Sequence, residues 1–144
     1  MEKFFKLVDD AIALSVDNRK KFDQMVLPQP AFGMEFCTVK ISCGRGVGKT
    51  AYILEHRRPW DVVIVLNEPM RRLQYPELRF SSPRFRDGVL TLSEALDPMF
   101  GRGQRRTPPR TILVDEGGCV SDDQLYQLWS VFGAHPDQTM VLLG

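Results

Sequence analysis

Four short runs of β-forming residues, spaced by helical and polar stretches, constrain what this chain can fold into more than any other feature. They are Phe36-Cys37-Thr38-Val39-Lys40-Ile41, Val62-Val63-Ile64-Val65-Leu66, Thr111-Ile112-Leu113-Val114 and Thr139-Met140-Val141-Leu142-Leu143. Three are almost continuously apolar instead of alternating, the pattern of strands buried on both faces. Val89-Leu90-Thr91-Leu92 is a further short strand candidate. Between them lie helix signals. Thr50 to Arg58 reads as a short helix closed by Pro59, Ser93 caps a helix through Glu94, Ala95 and Leu96, and Ser121-Asp122-Asp123 caps one carrying Leu125, Leu128, Trp129 and Phe132. Strands alternating with helices predict an α/β fold, a parallel sheet with flanking helices.

Residues 2–26 read as helical. Phe4, Phe5, Val8, Ala11, Ile12 and Leu14 recur at helical spacing, and a second amphipathic piece carries Phe22, Met25 and Val26. Pro28-Gln29-Pro30 and Gly33 break that pattern. The expected organisation is an N-terminal helical segment, residues 1–33, followed by one α/β domain, residues 34–144. A chain of 144 residues is long enough for one buried core. Glu68 to Arg86, polar and interrupted by Pro69, Pro76 and Pro83, reads as irregular, and residues 101–110 read as a loop.

No apolar run is long enough to span a bilayer, and the N-terminus mixes charge with aromatic residues, so a cytoplasmic protein with no membrane partner is expected. Cys37, Cys43 and Cys119 have no CxxC spacing, which argues against a disulfide framework or a structural zinc site. The net charge of +1 hides a strong asymmetry. Residues 1–44 hold six basic and six acidic side chains, residues 45–110 thirteen basic (twelve of them Arg) and seven acidic, and residues 111–144 five acids with no Lys or Arg. A basic middle with an acidic end suggests an anionic partner on one surface and a metal site on another; solvated surface arginines are the plainer account of many of these side chains.

The first β-run leads directly into Cys43-Gly44-Arg45-Gly46-Val47-Gly48-Lys49-Thr50. This matches the Walker A pattern G-x-x-x-x-G-K-[ST], except that Cys43 stands where the first glycine belongs. Glycines let backbone N–H groups converge on phosphate oxygens, and the following helix adds the positive end of its dipole. Gly44, Arg45, Gly46, Val47, Gly48, Lys49 and Thr50 are therefore the expected nucleotide-binding residues. Lys49 would neutralise the β- and γ-phosphates of ATP or another NTP, and Thr50 would ligate Mg²⁺. A Cβ at Cys43 is tolerated there if φ is negative.

The run Thr111 to Val114 ends in Asp115-Glu116. Asp115 is the expected second contributor to the Mg²⁺ site, and Glu116 the group that polarises an attacking water. An apolar strand ending in two acids is common on its own. In an alternating α/β chain that already carries a phosphate loop, it supports the same chemistry.

With these residues in place, the chain resembles the first RecA-like domain of the superfamily 1 helicases of positive-strand RNA viruses, over residues 37–144. The glycine turn is similar to motif I of that family. Val62 to Arg72 is similar to its second strand and motif Ia, Leu90 to Leu96 to the segment before motif II, Val114-Asp115-Glu116-Gly117 to motif II, and Met140 to Gly144 to the opening of motif III. The resemblance implies a three-layer P-loop NTPase sandwich, Mg²⁺-dependent NTP hydrolysis by Lys49 and Glu116, and association with single-stranded nucleic acid, RNA being favoured. Arg71, Arg72, Arg102, Arg105, Arg106 and Arg110 would then contact phosphates. In such a viral protein the compartment would be the host cytoplasm. The sequence stops before the acid and amide of motif III and lacks the second RecA-like domain. That implies a fragment, or groups lent by a partner or by another copy in an oligomer.

Two rivals share the same residues. A terminase-type packaging ATPase also uses an Arg-containing phosphate loop, and Arg45 is the residue most like that group. A non-catalytic module would keep the fold and bind a partner through the apolar N-terminal helix with Phe4 and Phe5. Trp129 and Phe132 read as core, while Trp60 and Phe80, near arginines, are candidates for stacking on bases. Gln29 reads either as a plain turn residue or as one meeting an adenine edge. His56 and His135 show no partner pattern.

Overall fold

The computed structural model describes residues 1–21, 29–58, 61–75, 88–97, 109–133 and 137–144. In chain order the elements are α1 (Glu2–Arg19), α2 (Gln29–Phe36), β1 (Thr38–Ile41), α3 (Lys49–His56), β2 (Val62–Val65) and α4 (Glu68–Gln74). They continue with β3 (Val89–Thr91), α5 (Leu92–Leu96), β4 (Thr111–Asp115), α6 (Asp122–Phe132) and β5 (Thr139–Leu143), with a 3₁₀ turn at Gly117–Cys119 between β4 and α6. The five strands form one sheet in the order β1-β5-β4-β2-β3, with every pairing parallel. This is the α/β architecture expected from the alternation of strands and helices.

Both sheet faces are covered, which is why the strands read as continuous apolar runs. Val62, Ile64, Ile112, Val114, Met140 and Leu142 point to a core shared with α2, α5 and α6. Their neighbours Val63, Val65, Leu113, Val141 and Leu143 point to the opposite core, built with α1, α3 and Tyr75. The period of two along each strand thus feeds two cores at once.

Helix α2 departs from expectation. In the sequence, Pro28-Gln29-Pro30 and Gly33 read as breakers. Instead, Gln29–Phe36 is helical, and Gly33 lies inside it. Pro30 sits in the first turn, where its missing N–H removes nothing from the helix. Gly33 is there for space: a Cβ would lie 2.5 Å from the Trp129 ring. Trp129 is buried, and its Nε1 donates to Thr38 Oγ1 at 2.9 Å, while Thr38 Oγ1 donates to Gly33 O at 2.8 Å. Helix α2 is therefore locked to β1 and α6.

Three local expectations need correction. Phe36 closes α2, and β1 begins at Thr38. Residues 68–74 are not irregular, because Asn67 Oδ1 accepts from Met70 N at 3.0 Å and caps α4, with Pro69 in its first turn. The cap of α5 is Thr91 instead of Ser93: Thr91 Oγ1 accepts from Glu94 N, and Glu94 Oε1 accepts from Thr91 N, a reciprocal box. Ser121 caps α6 as expected, in the same kind of box with Gln124. Phe22, Met25, Val26, Trp60, Phe80 and His135 lie outside the described residues. Among the described residues, no helix is long and apolar enough to cross a membrane.

Candidate functional site

Strand register brings the two sequence motifs together. Ile41 of β1 pairs with Leu143 of β5, and Leu143 pairs with Asp115 of β4, so the ends of three strands lie in one row. The turn after Ile41 and the carboxylates at the end of β4 therefore share the C-terminal edge of the sheet, where ligands bind in open parallel sheets. A cleft of about 710 Å³ opens there, lined by Arg45, Gly46, Lys49, Thr50 and Glu116 among others.

The turn itself is wound by glycines. Gly44, Gly46 and Gly48 have φ of 73°, 75° and 101°, a left-handed turn at every second residue. Nothing lies near a Cβ at Gly44 or Gly46, so these two are required by backbone conformation alone. Cys43 does not have a positive φ, since Glu116 is the only non-glycine residue that does among the described residues. Its Cβ is therefore accommodated without strain. Gly48 is the N-cap of α3 and makes no side-chain cap hydrogen bond.

Lys49 and Thr50, the first residues of α3, point to the carboxylates. Lys49 is 8% exposed, and its Nζ lies 3.6 Å from Glu116 Oε1. Thr50 Oγ1 donates to Asp115 Oδ2 at 2.8 Å, across 65 positions of sequence. Asp115 is 1% exposed, and its other oxygen, Oδ1, is buried with no hydrogen-bond partner among the described residues. A buried carboxylate oxygen left without a donor is costly. A divalent cation would satisfy it, so Thr50 and Asp115 fit the Mg²⁺ role expected of them. Among the described residues, no group of three His, Cys, Asp or Glu side chains converges as a protein-only metal cage.

Glu116 has φ 59° and ψ 40°. A carboxylate residue in the left-handed region is costly by about 1–2 kcal/mol. The turn after it is pinned by Gly117, where a Cβ would lie 2.7 Å from the Leu142 backbone. Close packing of Gly117 on β5 thus fixes the bend that aims Glu116 back toward Lys49.

Sequence reasoning missed Tyr75. This residue follows α4, is 1% exposed, and donates its hydroxyl to Asp115 Oδ2 at 3.1 Å. Burial, and then the neighbouring Asp115 charge, push its phenol far above the usual tyrosine range, so it remains a donor. Met1 was also missed: it lines the cleft and approaches Gly48. Phe5, expected as a partner-binding residue in one rival reading, packs edge-on against Tyr52, with ring centroids 5.3 Å apart.

Of the expected arginines among the described residues, Arg71 and Arg72 lie on α4, apart from Arg110. Arg71 is held by Glu68, by Glu94 Oε1 at 2.6 Å and by Val89 O at 3.2 Å. Arg72 is more open and reaches Glu68 at 3.2 Å. Arg110 lies at the opposite end of the sheet, where its carbonyl accepts from Thr139 N and its side chain borders a cavity with Asp9, His56 and Asp61. Arg102, Arg105 and Arg106 lie outside the described residues. No family model and no curated protein sequence matches the chain.

Proposed function

We propose that this chain binds a nucleoside triphosphate with Mg²⁺ in the cleft between residues 43–50 and Asp115-Glu116, and that it is a helicase-like P-loop phosphohydrolase. The hydrogen bond from Thr50 Oγ1 to Asp115 Oδ2 is the observation that carries this reading. It joins the end of the glycine turn to the end of an apolar strand, with one carboxylate oxygen still unspent beside it. A divalent cation bound by Thr50 and Asp115 would supply positive charge against the phosphate oxygens. Lys49, released from Glu116, would place its ammonium on the β- and γ-phosphates. Glu116, more open to solvent than Lys49, would accept a proton from the attacking water. The resemblance to the first RecA-like domain of viral superfamily 1 helicases supplies the expected polymer, single-stranded RNA.

The test is phosphate release from ATP, with and without single-stranded RNA. Wild type is expected to release phosphate, and Lys49→Ala and Glu116→Gln to fall by about tenfold or more, in line with the loss of a general base or a charge-assisted contact. Equal rates in all three proteins would overturn the hydrolytic reading.

A further inference from the structure

We propose that Tyr75 is a positioning residue whose buried hydroxyl holds the Asp115 carboxylate with Oδ1 facing the cation, and ties that carboxylate to helix α4. The inference rests on the reading of this cleft as a magnesium–nucleotide site.

An ionised carboxylate only accepts hydrogen bonds. Thr50 at 2.8 Å and Tyr75 at 3.1 Å therefore both donate to the same oxygen, Oδ2, while Oδ1 is left buried and without a partner among the described residues. Two donors arriving from different elements fix the rotation of the carboxylate, as ligand-orienting partners do around metal sites. Thr50 belongs to the cation site itself. Tyr75 does not, and its ring is packed in the core with Val65, Val89 and Leu113.

The position of that hydroxyl is set by α4. Tyr75 N donates to Arg71 O at 3.0 Å, which closes the helix, and Asn67 caps its start immediately after β2. Arg71 fastens the same helix to Glu94 and to the Val89 carbonyl. A shift of α4 is thus transmitted to Asp115 through one phenol. A purely structural tyrosine would use Asp115 only to satisfy its own buried hydroxyl, and the two roles make different demands on metal dependence.

Tyr75→Phe keeps the ring and removes the hydroxyl. A fluorescent ATP analogue is titrated at increasing Mg²⁺, and again in EDTA. The proposal expects the Mg²⁺ concentration for half-maximal binding to rise by roughly tenfold, the usual scale for a lost ligand-orienting partner, with affinity in EDTA unchanged. An unchanged Mg²⁺ dependence, or an equal loss with and without Mg²⁺, would overturn it. Wild type failing to bind the analogue at any Mg²⁺ would overturn the reading of the cleft itself, a result distinct from either. Melting temperatures of both proteins separate a general loss of stability from the metal effect.

Discussion

Arg71 and Arg72 are adjacent in sequence yet belong to different chemistry. Side-chain exposure is 24% for Arg71 and 60% for Arg72, and only the first is enclosed by two carboxylates and a carbonyl. Truncating Arg71 removes the charged partner of Glu94 in a half-buried network and leaves it only the bond from Thr91 N, so Arg71→Ala should cost about 1–2 kcal/mol in urea unfolding. Arg72→Ala should cost less than about 0.5 kcal/mol, as exposed pairs do. If single-stranded RNA binds along α4, Arg72→Ala should also weaken it and flatten the salt dependence. An Arg72 variant with unchanged RNA affinity would remove α4 from the polymer path. Nothing in the sequence distinguished these two arginines, because the distinction depends on Glu94, more than twenty positions away.

At the scale of elements, the strands and the glycine turn were legible because their signals are local. A β-branched run, a capping serine and a glycine-lysine-threonine sequence each carry their own physical reason. Helices α2 and α4 were not legible for the opposite reason. Gly33 looks like a breaker until Trp129, far along the chain, is known to lie against it, and α4 is short and polar, so its Asn67 cap has no apolar stripe to confirm it. Tyr75 was hidden by the same polar stretch. Gly33→Ala separates the two accounts of that glycine. A breaker glycine replaced by alanine should favour the helix by about 1 kcal/mol. A packing glycine should instead show net destabilisation, since forcing a Cβ into a filled core costs about 1–3 kcal/mol. Denaturant unfolding is expected to show the loss; a stabilised variant would contradict the Gly33–Trp129 contact.

At the scale of the whole molecule, each end of the sheet brings opposite charges together among the described residues. The acidic C-terminal part of the chain contributes β4 and β5, which occupy the centre of the sheet, and its Asp115 and Glu116 emerge at the edge where Lys49 and Thr50 meet them. Arg110 emerges at the other end, with Asp61 and His56. Helix α1 spans between these ends. Phe4 and Phe5 pack on Tyr52 of α3, and Arg19 donates to Gln138 O at 2.5 Å and Thr139 Oγ1 at 3.0 Å, at the start of β5. Helix α1 is thereby packed against the sheet, and Met1 stands at the cleft. The central claim concerns that cleft, and calorimetric titration of Mg²⁺-ATP into wild type and Lys49→Ala tests it most directly. Wild type should bind saturably, and Lys49→Ala should bind at least about tenfold more weakly, because a charge-assisted contact of about 1.5–3 kcal/mol is lost. Equal affinities, or no binding by wild type, would contradict it.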